Sequence, residues 1–427
     1  MEKQYVTNNG MEIFHYPGNH LHSFCVSLYF KAGSLYETEA ENGITHFLEH
    51  VVIRNINFLM GGKLYGHLDR LGLMFNACTY KEFVQFELTG ARDHIREAMD
   101  VLVKVFEPIC LPAAEIKIER NRIKAEIREE DEKNSLGFFT GNIVWEGTSL
   151  ARSITGQSTR LDKMGKAVLQ QAHSRLLSPA NGFFYVTGHA REEDLAYLKQ
   201  TVERYGSGSG SDLVPRSNFA PLPRSFFRRN GRVAVKKSKD TVVRFSFDID
   251  TRKYSQAAYM LLYDILFDCE NSKIHQALSE QSGYIYSFDP GLEQYSNIGN
   301  LYFQYEVQPA RLLGSTEMVM KLFYDLKQGI RDELDYVKPA YIDNVELILD
   351  HASNLNWAQA YEGHILEKGS RDPKERKREY EAVSPEEITA LAREVFTCKN
   401  LVVTVKGKKS KKLEQDLENI VRKLDEE

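Results

Sequence analysis

The sequence predicts an α+β fold of two related domains, each a mainly antiparallel sheet packed by helices. Three observations carry that expectation. At 427 residues the chain is too long for one ordinary core. Its two halves are of similar length, and both read as strands, helices, strands, helices. Between them, at mid-chain, Gly206-Ser207-Gly208-Ser209-Gly210-Ser211 has the composition of a linker. Residues 1–205 and 224–427 are therefore taken as the two α+β domains, with 206–223 between them. Leu213-Val214-Pro215-Arg216-Ser217 in that stretch resembles a thrombin recognition site, the mark of a linker, natural or engineered, rather than of a folded element.

Taken in order, residues 11–31 alternate as strands do, with Phe24, Val26, Leu28 and Phe30 on one side. Asn42 is placed to cap a helix through residues 43–50. A second helix is expected over Lys63–Arg70, ending at Gly72. Leu73–Thr79 and Phe83–Leu88 form a hairpin pattern. Pro112 opens a long helix to Asp131, where proline is tolerated in the first turn. Phe183–Gly188 reads as a strand and Asp194–Arg204 as a helix. In the second half, Val233–Val235 and Val242–Ile249 read as strands, and Ala257–Phe267 and Ile274–Gln281 as helices. A hairpin of Tyr284–Phe288 with Leu301–Val307 follows. Helices around Leu312–Leu326, Asp332–Leu349 and Glu386–Phe396, and a late strand over Leu401–Val405, complete the pattern. No residue-level repeat links the two halves.

Composition narrows the function classes. A net charge of −5 gives no basic footprint for nucleic acid. The start, Met1-Glu2-Lys3-Gln4, has no apolar stretch of a secretory signal, and the best apolar run is broken by Asp264, so no transmembrane segment is expected. Five scattered cysteines, with no Cys-x-x-Cys, read as reduced thiols and point to a cytoplasmic protein.

The chemistry concentrates in His46-Phe47-Leu48-Glu49-His50. In a helix, His46 and His50 stand one turn apart on one face, with Glu49 beside them. Two neutral imidazoles so spaced can hold two corners of a zinc ion. A carboxylate beside them, kept off the metal, can accept a proton from water held there. This order of residues is the reverse of the commoner His-Glu-x-x-His and is the inverzincin motif. The long helix after Pro112 adds a second anomaly. Its inward stripe, Ile116, Glu119, Ile123 and Glu126 or Ile127, places two carboxylates among aliphatic residues. Such groups are expensive to bury unless a cation pairs with them. Glu115, Glu129 and Glu130 read as solvated.

With these residues together, the chain resembles the pitrilysin/insulinase family of zinc peptidases, in its short, processing-peptidase-like branch. The family's third zinc ligand is a glutamate about seventy-five residues beyond the second histidine, in a helix with a Glu-Arg pair and then Glu-Ile. Glu119-Arg120 and Glu126-Ile127 match that pattern, and Gly72 with Asn76-Ala77-Cys78-Thr79 matches a further glycine and Asn-Ala-x-Thr strand. The resemblance implies one zinc ion per chain held by His46, His50 and Glu126, with Glu49 as general base. It implies that Glu119 orients a ligating imidazole. The strand Phe75-Asn76-Ala77 would pair an extended peptide substrate by edge addition. The two domains would form one half of a clam-shaped peptidase that encloses its substrate.

One departure bears on partners. Where the family often has Leu-Arg-Glu-Lys-x-Gly-Leu-Ala-Tyr-Ser, this chain has Leu278-Ser279-Glu280-Gln281-Ser282-Gly283-Tyr284-Ile285-Tyr286-Ser287. Tyr286 keeps its substrate-binding position, while Ser279 replaces an arginine. That pattern implies a heterodimer with a related, motif-less chain that brings the arginine, a homodimer being the alternative. Family habit extends to maturation of peptides such as bacteriocins. The competing reading, from another class, is a structural subunit that keeps the fold without catalysis.

Overall fold

The structure, a computed structural model, describes residues 1–129, 135–206 and 231–426. Among them, the first sheet has six strands: β1 (Lys3–Val6), β2 (Glu12–Pro17), β3 (Ser23–Phe30), β4 (Met74–Thr79), β5 (Val84–Ala91) and β6 (Gly182–Gly188). Their order is β1-β2-β6-β3-β5-β4, with β2 and β6 parallel and every other pair antiparallel. The period-two alternation sends Phe24, Val26, Leu28 and Phe30 of the central β3 into one buried core. Against that face lie α1 (Ile44–Leu59), α2 (Leu64–Leu71), α3 (Ile95–Leu102) and α4 (Ala113–Glu129).

The start of α1 corrects the expected cap. Its first turn is entered through Gly43 at φ 95, a left-handed conformation that favours glycine, and Asn42 does not cap it. The carboxylate of Glu37 does so instead. It accepts from the amides of Gly43 and Thr45, both at 2.9 Å, and from Asn42 Nδ2 at 3.0 Å. A helix start leaves amides without intrahelical partners, and an anion there also suits the helix dipole. Burial pushes the Glu37 carboxyl up, against the lowering effect of these bonds. The run Val51-Val52-Ile53 is a modest helix former, so α1 is held chiefly by burying Ile44, Phe47, Leu48, Val51 and Ile56.

The second sheet has β7 (Arg232–Lys237), β8 (Val242–Ile249), β9 (Asp289–Gln294), β10 (Gly299–Glu306) and β11 (Val402–Gly407), in the order β7-β11-β8-β10-β9. Here too one pair, β7 with β11, is parallel and the rest are antiparallel. Without β1, the first sheet has the same order and directions, β2-β6-β3-β5-β4. The repeat that residue identities do not reveal is present in the topology.

Both expected helices of this half are present, each ending in a π-helical stretch, and one expectation, the first arm of the hairpin, is corrected. The helix expected over Ala257–Phe267 is α-helical over Gln256–Tyr263 and continues as a π-helix over Asp264–Asp268. The helix expected over Ile274–Gln281 is α-helical over Lys273–His275 and continues as a π-helix over Gln276–Glu280. The first arm of the hairpin is β9, not Tyr284–Phe288. Pro290 fits there because β9 is an edge strand, where a missing amide is tolerated. Gly291 fits because the Tyr302 ring occupies the place of a Cβ.

The chain forms two compact units, and each takes a helix from the other half of the sequence. The first comprises the described residues within Met1–Glu132, Arg152–Phe219 and Glu346–Asp372; the second comprises those within Lys133–Ala151, Ala220–Val345 and Pro373–Glu427. In the first, helix Ala352–Ala360 covers the aromatic face of the sheet, built from Phe14, Tyr16, Tyr29, Phe83 and Tyr185. Asn356 accepts from Tyr29 Oη at 3.2 Å and donates to the Tyr185 carbonyl at 3.0 Å. In the second, α5 (Leu136–Val144) packs on β8 and β11, with Thr140 and Thr404 hydroxyls 2.6 Å apart. The linker expected at 206–223 lies outside the described residues apart from Gly206. No described helix is long and apolar enough to cross a membrane.

Candidate metal centre

Helical periodicity sets His46 and His50 on the side of α1 that faces α4, with Glu49 beside them, and α4 turns Glu119 and Glu126 toward the two histidines. One ligand atom each from His46, His50 and Glu126 falls within a mutual spacing of 4.8 Å. His46 Nε2 is 3.5 Å from Glu126 Oε1, and His50 Nε2 is 3.5 Å from Glu126 Oε2. Ligands about 2.0–2.1 Å from a tetrahedral zinc ion stand roughly 3.4 Å apart, so this spacing suits such an ion. Two imidazole nitrogens and one carboxylate could hold it and leave a fourth position open. The hydrogen bond from His46, with the charges of both histidines, holds the Glu126 carboxyl below its ordinary range against burial.

Behind His50 stands a second carboxylate. Glu119 is only 2 % exposed, and its Oε2 lies 3.4 Å from His50 Nδ1, a long hydrogen bond that leaves Nε2 pointing at Glu126. Its other oxygen accepts from Arg54 at 2.7 Å, and Arg54 also bonds Glu115 at 2.6 Å. Burial alone would raise the Glu119 carboxyl; hydrogen bonds from His50 and Arg54 outweigh it and lower it. The cation beside Glu119 is thus Arg54, while the His50 ring lies between Glu119 and Glu126. Arg54 follows His50 by one helical turn, a spacing that could have identified it from sequence.

Glu49, 7 % exposed, lies beside the cluster rather than in it. Thr79 Oγ1 donates to its Oε2 at 2.6 Å. Thr79 ends β4, which is an edge strand of the sheet and, among the described residues, pairs only with β5. Phe75 and Ala77 lean on the core, and Asn76 is exposed on the opposite face of the strand. Beside Glu49 and His50 a cavity of about 720 Å³ is lined by Ile53, Phe58, Phe75 and Arg122 among others. Tyr286 belongs to the second unit, on a loop, and is 97 % exposed. Ser279 is half-buried in the π-turn Gln276–Glu280 of that unit. The cluster of the first unit is formed without either.

Residues 19–158 match the family model described as Insulinase (Peptidase family M16), and 163–339 match the Peptidase M16 inactive domain. The chain belongs to the insulinase family, M16. An uncharacterized zinc protease of Bacillus subtilis, YmxG, is 23% identical over 407 residues, covering 93% of this chain and 96% of the relative. Subunit 1 of the mitochondrial cytochrome b-c1 complex of Rattus norvegicus is 24% identical over 197 residues, 46% of this chain and 41% of that protein. A protease from Helicobacter pylori has the same fold, with a TM-score of 0.81 at 17% identity over 95% of this chain and 99% of its own. All three ligand candidates and Glu49 lie inside the first M16 match; the second begins beyond them.

Proposed function

We propose that this chain is a zinc-dependent endopeptidase that cleaves peptides or the leader segments of precursors, with His46, His50 and Glu126 as the zinc ligands. The observation that carries the reading is the convergence of two imidazoles and one carboxylate, with a fourth group, Glu49, poised alongside and not among them. When bound, zinc supplies a Lewis acid that makes water a better nucleophile and polarises a carbonyl. Glu49 accepts the proton of the attacking water and later returns it to the leaving amine. Glu119 fixes the ring of His50 through Nδ1 and so selects the nitrogen that binds. The edge of β4 at Phe75-Asn76-Ala77 aligns an extended peptide through its backbone, which gives reach across sequences. Five free cysteines agree with a cytoplasmic place of work.

A non-catalytic role is the second reading, favoured by the similarity to a cytochrome b-c1 subunit. The intact donor set supports the enzyme. Ser279 adds a partner to the proposal: a related chain supplies the arginine absent here, and Tyr286, exposed on its loop, is the residue proposed to bind substrate beside it. A serine hydroxyl offers neither the fixed charge nor the five donors of a guanidinium. Elemental analysis should find about one zinc per chain after metal loading, and a mixed pool of quenched peptides should be cut. Ser279→Arg should raise turnover of the isolated chain by roughly tenfold or more, the worth of one charge-assisted contact. A chain that binds no zinc would end the enzymatic reading, and an indifferent Ser279→Arg would end that of the missing arginine.

A further inference from the structure

We propose that Thr79 is the positioning residue for Glu49, linking the proton-accepting carboxylate to the strand on which a peptide docks. The inference deepens the peptidase reading and rests on it. Glu49 is a buried carboxylate with three rotatable bonds, and a base that wanders between rotamers spends little time aimed at water. Among the described residues, the bond from Thr79 Oγ1 to Oε2 is the only hydrogen bond its carboxylate makes. It occupies one oxygen with a donor and leaves Oε1 to take a proton.

Thr79 is suited to that work by its own constraints. A β-branched side chain has few χ1 choices. Its backbone is paired with Val84 of β5, and the turn that follows is closed by Tyr80 N donating to the Phe83 carbonyl at 2.8 Å. Tyr80 stacks on Phe83 with ring centroids 4.3 Å apart. The amide of Leu35 donates to the Lys81 carbonyl at 3.0 Å, and Gly33 at φ 119 lets that backbone pass, since a Cβ there would sit 2.3 Å from the Tyr80 carbonyl. The hydroxyl is therefore delivered from a rigid hairpin. Phe75, Ala77 and Thr79 share one face of β4, so the strand whose edge receives the peptide also carries the group that aims the base.

The proton balance is simple. Glu49 Oε1 takes a proton from water as the water oxygen bonds to the peptide carbonyl carbon. That proton passes to the amine nitrogen as the C–N bond breaks. Thr79 keeps its own proton throughout.

The test compares Thr79→Val, which keeps shape and strand preference but lacks the donor, with Thr79→Ser, which restores it. Zinc content, turnover of a mixed pool of quenched fluorescent peptides, and the crystal position of the Glu49 carboxylate are measured for each. In Thr79→Val, zinc content and KM should hold, kcat should fall roughly ten- to a hundredfold, and the carboxylate should turn from its present place. Thr79→Ser should recover kcat to within a few-fold and return the carboxylate. A Thr79→Val protein with wild-type kcat, or with Glu49 unmoved, overturns the proposal. If the zinc-loaded wild type cuts none of the peptides, the peptidase reading fails by itself, and the crystal position of Glu49 still decides the role of Thr79.

Discussion

The two units share a strand order and differ in what their helices carry. After β3 comes α1, which buries His46 and Glu49; after β8 comes helix Gln256–Tyr263, whose buried residues are Gln256, Ala257, Ala258, Tyr259, Leu261 and Leu262. After the first hairpin comes α4, with Glu119 buried between Ile116 and Ile123; after the second come helices such as Arg331–Ile348, whose buried residues are Leu334, Val337 and Val345. The second unit demonstrates that this sheet and its covering helices need no buried histidine or glutamate in those places. Burying ionisable groups is unfavourable unless they are paired. Their presence in the first unit therefore points to chemistry rather than to folding.

That comparison can be broken directly. His50→Ala or Glu126→Gln removes one of three protein ligands and should weaken zinc binding by more than the roughly hundredfold of an outer-sphere change, while the metal-free protein stays folded by circular dichroism. Loss of the fold would mean that these residues are structural after all. Glu119→Gln tests the layer behind. It keeps the shape but weakens the hold on His50 and Arg54, and zinc affinity in competition with a chelator should drop roughly ten- to a hundredfold. A larger loss than for Glu126→Gln would exchange the roles of the two glutamates.

The smallest effect belongs to the second unit. Burial, and then the neighbouring Asp268, push the Asp264 carboxyl up to about 6. The folded chain holds that proton more tightly than the unfolded chain, in which aspartate titrates near 4 (about 3.9). Stability from this group is thus present below that value and is lost as pH rises through the window between the two. Asp264→Asn should raise the melting temperature by roughly several degrees at neutral pH and leave it nearly unchanged in the most acid samples. An equal shift at both ends of the series would assign the gain to something other than the proton.

The site was legible in sequence where one helix sufficed. His46, Glu49 and His50 are joined by helical spacing, and Glu119 and Glu126 stood out because carboxylates interrupt an aliphatic stripe. Features joined only by folding were not visible. Glu37 caps α1 from a preceding loop, although Asn42 stands nearer the helix in sequence. Thr79 reaches Glu49 across thirty positions of sequence, and its strand pattern gave no sign of a partner. In the second half, alternation at Tyr284–Phe288 mimicked a strand, while Pro290 and Gly291 disguised the real one. Helix Ala352–Ala360 shields the first sheet although it lies far along the chain, a placement that local periodicity does not encode.

The most direct test of the central claim is peptide cleavage by zinc-loaded Glu49→Gln, with zinc content measured on the same sample. The change removes the proton acceptor and leaves His46, His50 and Glu126 in place. It should retain about one zinc per chain and lose turnover by several orders of magnitude. A folded, zinc-replete Glu49→Gln protein that cuts peptides at the wild-type rate would contradict the account.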